Sequence, residues 1–303
     1  MATYLFYSMA IAQKLYRKAF HLSFDIRQVI NRSTVNHQDG HHGIASPTLL
    51  QPSDKAIVHA LQTEGAYVTS LNALDLPNTH GFWSSAQAIA HRLPHAPRKL
   101  CQGFRIEASA AQLLAHPDII CWGLGDRILS IVEHYLQSSV ALCGVVVRRD
   151  VANTVMRGTR LWHRDIEDRR MCKVIVYLND VTKQNGPFAY IARSITNASH
   201  ALKGRYGYIR DQVMQSNLSS VTHHICDGSS GNIIICDTAS VFHRGIVPVE
   251  GDRLAAFFTY VTRDPRSPWK CHLPFRTQEL GNIINHLSPR QQQSIFWKGT
   301  RRF

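Results

Sequence analysis

From about residue 142 onward, the sequence is a succession of short runs that are rich in β-branched and aromatic residues. The runs read ALCGVVVRR, MCKVIVYL, GPFAYIA, GNIIICD and RLAAFFTYV, and the breaks between them contain NDVTKQNG, DGSSG and PVEGD. Many short strands joined by glycine-containing turns, without alternating helices, are typical of an all-β sandwich or barrel. We therefore predict a mainly β core with a jelly-roll architecture, also called a double-stranded β-helix.

The part of the chain before residue 142 is more mixed. AYVTSLNAL predicts a strand, and GDRILSIVEHYLQSS predicts a helix. Residues 31–55 are polar and contain Gly and Pro, which predicts a loop or linker. We therefore divide the chain into two parts. Residues 1–55 form an amphipathic helix and a polar linker, and residues 56–303 form a jelly-roll domain with N-terminal α-helical decorations.

Composition favours a cytoplasmic protein that attracts anionic partners. Hydrophobic residues make up 44% and charged residues 18% of the 303 residues, as in soluble globular proteins. The seven cysteines are scattered without a C-x-x-C pair, which favours reduced thiols over a disulfide framework or a zinc ribbon. The net charge of +13 attracts nucleic acid, an anionic membrane or an anionic substrate, and charge alone does not choose among them.

The N-terminal segment MATYLFYSMAIAQKLYRKAFHL predicts an amphipathic helix. A helix would place Leu5, Met9, Ala12, Tyr16 and Ala19 on one stripe and the basic residues on another. The segment is too short to span a bilayer and lacks the basic start of a secretory signal. Two readings stay open: a helix packed on the domain's own core, or an interfacial helix that holds the protein on the inner face of an anionic membrane. The C-terminal FWKGTRRF, which also mixes aromatic and basic residues, fits the second.

Three His-x-Asp pairs are candidates for part of a metal site. About one such pair with Asp or Glu is expected by chance from 17 histidines and 21 acidic residues among 303. His37-x-Asp39 lies in a polar loop, and His116-Pro-Asp118 contains a proline that disfavours a paired strand. His163-x-Asp165 precedes the strong strand MCKVIVYL. Because residues i and i+2 of a strand point the same way, this pair can supply two ligands.

A third ligand and an anion anchor follow later in the chain. In GNIIICDTASVFHRGIVPVEGDRLAAFFTYV, a strand ends near His243 and the next strand carries Arg253, which can hold a carboxylate. His200 and Arg210 have the same separation but lie in a polar, glycine-interrupted segment. Two histidines and one carboxylate are the ligand set of non-haem Fe(II) oxygenases.

The residues HRD…YLNDVTKQNGPFAYI…FHRG…R resemble the phytanoyl-CoA dioxygenase-like branch of the Fe(II)/2-oxoglutarate dioxygenases. The resemblance covers about residues 140–262, with a weaker match at EGAYVTSL. It implies that His163, Asp165 and His243 bind Fe(II), that Arg253 binds the C5 carboxylate of 2-oxoglutarate, and that O2 is the co-reactant. Many members of the family have Ser or Thr two residues after the distal histidine, where this chain has Gly245. The second donor to that carboxylate is therefore absent or comes from elsewhere. Halogenating relatives lack the acidic ligand, so the intact Asp165 favours hydroxylation or another oxidation.

The substrate prediction rests on arginines near the metal strands. If Arg148, Arg160 and Arg169 line the entrance, the substrate is anionic; otherwise they form a solvated basic face. The chain is in this respect similar to Kdo hydroxylases, which implies a lipid-linked acidic sugar such as the Kdo of lipopolysaccharide. A small-molecule natural-product hydroxylase is one alternative, and a non-enzymatic β-sandwich that binds a polyanion is another. Nucleic-acid repair dioxygenases carry a second arginine six residues after the first. This chain has Thr259 there, so we do not expect nucleic acid as a partner.

Overall fold

The computed structural model describes most of the predicted domain. The described residues are 15, 19, 22, 23, 26, 50–95, 103–198, 207–217 and 223–297. Most of the predicted N-terminal helix, the polar linker with the pair His37-x-Asp39, His200 and residues 298–303 lie outside them. No helix among the described residues is both long enough and apolar enough to cross a membrane.

Two antiparallel sheets form the core of the described structure. The larger sheet has the strand order β1-β7-β4-β9-β3-β2, and the smaller has the order β6-β5-β8. The strands of the larger sheet are β1 (Ala66–Ser70), β2 (Arg105–Glu107), β3 (Val140–Asp150), β4 (Cys172–Tyr177), β7 (Asn232–Cys236) and β9 (Arg253–Thr262). Those of the smaller sheet are β5 (Phe188–Tyr190), β6 (His224–Cys226) and β8 (His243–Gly245).

Helices surround this core. They are α1 (Pro52–Thr63), α2 (Leu71–Leu74), α3 (Thr79–Arg92), α4 (Ala110–Leu114), α5 (Pro117–Gly123), α6 (Asp126–Leu136), α7 (Arg193–Ala198), α8 (Asp211–Asn217) and α9 (Pro289–Ile295). Single turns of 3-10 helix occur at Gly158–Arg160, Lys183–Asn185 and Pro268–Lys270, and a longer 3-10 segment spans Thr277–His286.

The central strand β9 is buried on both faces, because helices cover one side of the larger sheet and the smaller sheet covers the other. On the helical side, the ring of Phe258 packs at a tilt of 47° against Trp122 of α5, with ring centroids 5.1 Å apart. Gly123 permits this approach, since a Cβ atom there would lie 2.4 Å from a ring carbon of Phe258. The hydroxyl of Tyr260 donates a hydrogen bond to the Gly123 carbonyl oxygen at 2.6 Å. These contacts fix the sheet from which the cavity side chains project.

The predicted strands and the structure agree along the β-rich half and differ in two places before the metal pair. The segment AYVTSLNAL forms β1 and then the short helix α2, which Ser70 caps by accepting a hydrogen bond from the Ala73 amide. The segment after His116 is a helix, α5, because Pro117 occupies a first-turn position where its missing amide hydrogen is not needed.

Candidate metal centre

Three side chains converge between the two sheets. His163, Asp165 and His243 have ligand atoms that all lie within 4.8 Å of one another, and both histidines are buried. Nε2 of His163 lies 3.8 Å from Asp165 Oδ1, and Nε2 of His243 lies 3.7 Å from Asp165 Oδ2. Two ligands each about 2.1 Å from one metal ion are at most about 4.2 Å apart, so each histidine is within reach of an ion bound to the Asp165 oxygen that it faces. Among the described residues, this is the group of His, Cys, Asp and Glu side chains that could hold a metal.

A β-bridge brings the two histidines together across 80 positions of sequence. His163 and His243 exchange backbone hydrogen bonds of 3.1 and 3.0 Å. The prediction of a continuous strand through His163 and Asp165 is wrong, because only the bridge residues pair and Asp165 lies in irregular chain. The Asp165 amide is held instead by a hydrogen bond of 2.9 Å to the Thr238 carbonyl oxygen. Two contacts to the same later segment therefore orient the pair.

The other side chains of this bridge point away from the ligands, as the alternation of a strand requires. The guanidinium of Arg164 lies 5.2 Å from the ring centre of Phe242, and that of Arg244 lies 4.5 Å from the ring centre of Trp162.

Backbone carbonyls set the tautomer of both histidines. Nδ1 of His163 lies 2.8 Å from the Leu161 carbonyl oxygen, and Nδ1 of His243 lies 3.3 Å from that of Val241. Because a carbonyl oxygen only accepts hydrogen bonds, each Nδ1 carries the proton and each Nε2 presents a lone pair. A hydrogen bond from the second ring nitrogen is the usual support of a metal-binding histidine.

The charges of the three groups suit a divalent cation. Burial and the neighbouring His163 lower the pKa of His243 to about 3, and burial also lowers the pKa of His163. Burial opposes the charge on Asp165, but Lys173 and the two imidazoles lower its pKa. Two neutral imidazoles and one carboxylate are therefore ready at neutral pH. This donor set, held on one side of a cavity, fits Fe(II) with positions left open for other ligands.

Arg253 lies in the same cavity, where one carboxylate holds it. Its guanidinium donates to Asp150 Oδ2 from Nε at 3.2 Å and from Nη2 at 2.7 Å, and its Nη1 donates to the Gly186 carbonyl oxygen at 2.5 Å. Arg148 donates from Nε to the same Asp150 oxygen at 3.0 Å and stacks over the ring of Phe257 at 4.0 Å. Burial opposes the charge on Asp150, yet the two arginines lower its pKa to about 2. Asp150 is therefore an anion that holds a pair of guanidinium groups.

Gly245 makes room for this pair. A Cβ atom at Gly245 would lie 2.9 Å from Nη2 of Arg253 and 3.5 Å from Nη1. Because Arg253 is tied to Asp150 and Gly186, it cannot move away from such an atom without losing hydrogen bonds. The space that a side chain at position 245 would need is therefore occupied by the guanidinium itself.

The cavity has a volume of about 190 Å³. Its lining includes the three candidate ligands, together with Arg105, Glu107, Val146, Arg148, Thr159, Lys173, Ile175, Phe188, Gly245, Arg253, Phe257 and Thr259. Pockets for drug-sized ligands occupy about 300–1,000 Å³, so this one accommodates a small acid. At the opening, Arg105 and Glu107 form a half-exposed ion pair at 3.1 Å. A larger cleft of about 910 Å³ between helices shares no lining residue with this cavity.

Of the three arginines predicted to meet substrate, the structure places one in the cavity. Arg148 lines it, whereas Arg160 lies in the interior with its guanidinium bonded to protein oxygens. Those acceptors are Asn153 Oδ1 at 2.5 Å and the carbonyl oxygens of Val155 at 2.9 Å, Phe104 at 3.3 Å and Val151 at 2.6 Å. Arg169 is exposed and outside the cavity lining. The predicted substrate role of Arg160 and Arg169 is thus not matched by their positions.

Two charged residues that contact side chains of the site were missed in the sequence. Lys173 is the charged residue of the apolar strand β4, and its Nζ lies 2.6 Å from Asp165 Oδ2. Asp150 ends the run VVVRRD and binds both Arg148 and Arg253. The signal for Lys173 was present, since a charge inside a buried strand requires a partner. No pattern along the chain connects Asp150 to Arg253, which lies more than one hundred residues further on.

The comparisons with known proteins concern the fold. No protein-family model matches the sequence, and no curated protein matches it. Among solved structures, the non-heme alpha ketoglutarate dependent carbocyclase SnoK from nogalamycin biosynthesis matches with a TM-score of 0.51 and 15% identity, over 81% of this chain and 95% of that chain. EctD from S. alaskensis, solved with 2-oxoglutarate and 5-hydroxyectoine, matches with a TM-score of 0.50 and 16% identity, over 80% and 88%.

The chain has the jelly-roll fold of these proteins. The predicted fold class is thereby confirmed. In this jelly roll the candidate ligands lie between the larger and the smaller sheet, and Arg253 begins the strand β9 that forms the centre of the larger sheet.

Proposed function

We propose that the protein is an Fe(II)/2-oxoglutarate-dependent dioxygenase that hydroxylates an unactivated C–H bond of an anionic substrate. One observation carries the proposal. Two histidines with free Nε2 atoms and one carboxylate share a cavity of about 190 Å³ with a buried arginine suited to a carboxylate. The likeness in fold to SnoK and EctD, whose structures are described with alpha ketoglutarate dependence and with bound 2-oxoglutarate respectively, agrees with it.

The protein's own residues would have two roles: some would bind the metal, and others would exclude water from the cavity. A bound iron would supply the oxidation of the substrate, coupled to conversion of 2-oxoglutarate and O2 to succinate and CO2. His163, His243 and Asp165 would hold it through two nitrogen atoms and one carboxylate oxygen. The apolar side chains of Ile175 and Phe257 on the cavity wall would keep bulk water from the reacting groups.

Arg253 and Arg148 would bind the far carboxylate of 2-oxoglutarate together. Both guanidinium groups lie on Asp150 Oδ2, so they are neighbours in one subsite. Arg148 contacts Asp150 through Nε, and its two Nη groups carry further N–H donors that would bind an anion. Arg148 would then replace the hydroxyl that Gly245 cannot provide. This assignment moves Arg148 from substrate to cosubstrate.

The substrate would lie mostly outside this small cavity. A volume of about 190 Å³ holds a small dicarboxylate and little more, so the substrate would approach past the half-exposed Arg105. With a net charge of +13, an acidic substrate is favoured. We propose a lipid-linked acidic sugar, such as the Kdo of lipopolysaccharide, met at the inner face of a membrane.

The membrane part of this proposal is supported by an apolar stripe near the N-terminus. Leu15, Leu22 and Ile26 are helical and 61%, 63% and 50% exposed, and they follow the helical spacing of i, i+7 and i+11. Lys14, Arg17 and Lys18 are interleaved with them in the sequence. An apolar stripe with basic neighbours is built for an anionic interface. Deleting residues 1–24 should weaken binding to phosphatidylglycerol vesicles. Equal binding by the truncated protein would show that the stripe does not contribute to membrane binding.

The test of activity is succinate formation by the purified protein with Fe(II), ascorbate, 2-oxoglutarate and candidate substrates. Kdo-bearing lipid, soluble acidic small molecules and neutral analogues should be compared, because a natural-product hydroxylase would prefer the soluble compounds. His163→Ala and Asp165→Ala should abolish turnover while retaining the far-ultraviolet circular dichroism of the wild type. Turnover that survives both substitutions would refute the proposed site. A polyanion-binding sandwich without activity would show no iron-dependent succinate with any substrate.

A further inference from the structure

Lys173 occupies an unusual position beside the candidate metal ligands. It stands in β4, between Cys236 of β7 and Thr259 of β9 in the register of the larger sheet. Its side chain is 20% exposed, and its Nζ lies 2.6 Å from Asp165 Oδ2. An ammonium group at this distance from a carboxylate forms a charge-assisted hydrogen bond. The Asp165 and Glu167 carboxylates both lie near this ammonium group.

The two oxygens of Asp165 therefore have different surroundings. Oδ1 faces Nε2 of His163 at 3.8 Å, and no ammonium group is bonded to it among the described residues. Oδ2 faces Nε2 of His243 at 3.7 Å and is already bonded to Lys173. A divalent cation bound through both oxygens would have to come next to the ammonium group, and like charges at such separations repel strongly in a buried site.

We infer that Lys173 is a positioning residue that keeps Asp165 a one-oxygen ligand. The inference rests on the proposed metal site. With one oxygen from Asp165, the protein occupies half of the positions of an octahedral ion and leaves the other half for cosubstrate and O2. A second oxygen would take one of these positions. Lys173 thus protects the open position at the expense of some affinity for the metal, because its positive charge opposes the cation.

A competing arrangement involves Glu167. Glu167 lies two residues after Asp165 and is a second carboxylate near the Lys173 ammonium group. On metal binding, Lys173 could transfer from Asp165 to Glu167, and Asp165 would then be free to use both oxygens. The two arrangements differ in the number of water molecules that a bound ion retains.

The experiment uses Mn(II) as the probe with the full-length protein. The affinity is measured from the electron paramagnetic resonance signal of free Mn(II), and the retained water from the proton relaxation rate of the bound ion. Lys173→Met keeps the length of the side chain without its charge, and Lys173→Arg keeps the charge. Lys183→Met, at an exposed position of a 3-10 turn, is the matched control.

Lys173→Met should bind Mn(II) roughly tenfold more tightly, which corresponds to removal of about 1.4 kcal/mol of charge repulsion. Its bound ion should show about one-third less water relaxation, because one of the open octahedral positions is filled. Lys173→Arg and Lys183→Met should keep the wild-type relaxation. A residue with only a structural role would weaken metal binding when replaced and would leave the relaxation of the remaining bound ion unchanged.

Unchanged relaxation in Lys173→Met would overturn the inference. Failure of the wild type to bind Mn(II) would instead refute the proposed metal site, so the two failures are distinguishable. If Lys173→Met does not fold, a crystal structure of the wild type with Mn(II) decides between the two arrangements of Lys173. One Asp165 oxygen on the ion and Lys173 on the other would support the inference. Two oxygens on the ion, or Lys173 on Glu167, would contradict it.

Discussion

Nη2 of Arg253 lies 2.7 Å from Oδ2 of Asp150, with both side chains less than 5% exposed. This buried pair binds the start of β9 to the end of β3 at the edge of the cavity. It also means that the arginine proposed to bind cosubstrate is already oriented before any ligand arrives. Such an arrangement reduces the ordering that cosubstrate binding would require.

Asp150→Asn should therefore destabilise the fold and weaken 2-oxoglutarate binding. Removing the charge leaves two guanidinium groups buried without their anion, which costs about 3–5 kcal/mol in the free energy of unfolding. The folded pKa of Asp150 is about 2, below the unfolded value, so its contribution is complete at pH 7 and is lost as the pH falls towards 2. Urea unfolding at pH 7 measures the effect. Glu107→Gln, in an ion pair more than 40% exposed, is the control and should change stability by less than about 1 kcal/mol.

Gly245→Ala should raise the KM for 2-oxoglutarate. The new methyl group would lie 2.9 Å from Nη2 of Arg253 and displace a guanidinium that is held on its other side. Overpacking of this kind costs about 1–3 kcal/mol. Gly103→Ala is the matched control, since a Cβ there meets nothing closer than 3.8 Å. Equal KM values for the two variants would show that Arg253 does not bind the cosubstrate as proposed.

Arg148→Met should raise the KM for 2-oxoglutarate about tenfold or more. The variant loses a hydrogen bond to a charged group, which contributes about 1.5–3 kcal/mol to binding. Arg105→Met should spare the 2-oxoglutarate KM and raise that of an acidic substrate, because Arg105 lies at the opening. Steady-state kinetics with each substrate varied in turn separates the two. The opposite pattern would return Arg148 to the substrate site.

Arg160→Met should act on stability and leave the site unchanged. The guanidinium of Arg160 donates to a side-chain amide and three backbone carbonyl oxygens, and the residue is 2% exposed. Its loss leaves buried acceptors without donors, each costing about 1–3 kcal/mol. The midpoint of thermal unfolding should fall well below that of Arg169→Met, a change at an exposed position. The substrate KM of the folded fraction should match the wild type in both variants.

The metal-free protein should lose stability as the pH falls below 6.5. The folded pKa of His243 is about 3, whereas an unfolded histidine titrates near 6.5. Between these values the unfolded chain binds more protons than the folded chain. The contribution of such a histidine to the free energy of unfolding is therefore fully present above pH 6.5, and below it the free energy decreases by about 1.4 kcal/mol per pH unit for each such group. Urea unfolding between pH 7 and 5 measures the slope. His243→Gln should reduce it, and His163, whose pKa is lowered by burial, accounts for a further part.

The sequence predicted the β-rich half well because its runs of Val, Ile and Phe are buried on both faces, as in MCKVIVYL and β4. It also selected His163, Asp165 and His243 from three His-x-Asp pairs, because the other two lie in segments unsuited to a strand. The structure brings these three together, although His163 belongs to a bridge and not to a continuous strand.

The arginines were harder to place, because a charge near a site in sequence has no fixed direction in space. Arg160 follows a glycine with a positive φ of 57° in a 3-10 turn, which directs its side chain into the interior. Arg148 faces the cavity because it shares one face of β3 with Val146, while Arg149 faces the other way and binds Asp252 at 2.9 Å. Alternation along β3 could have separated Arg148 from Arg149. The position of Arg160 depended on a turn that no periodic pattern marks.

The bridge between His163 and His243 has a consequence for biosynthesis. The ligands are contributed by two segments that meet only after the chain has passed residue 243, and the Asp165 amide needs the Thr238 carbonyl oxygen for its orientation. A nascent polypeptide on the ribosome that ends before this point has two of the three ligands and lacks the bridge partner of His163. If the site binds iron as proposed, binding would therefore follow translation of nearly the whole jelly roll, and truncated products that end before His243 would lack the complete ligand set.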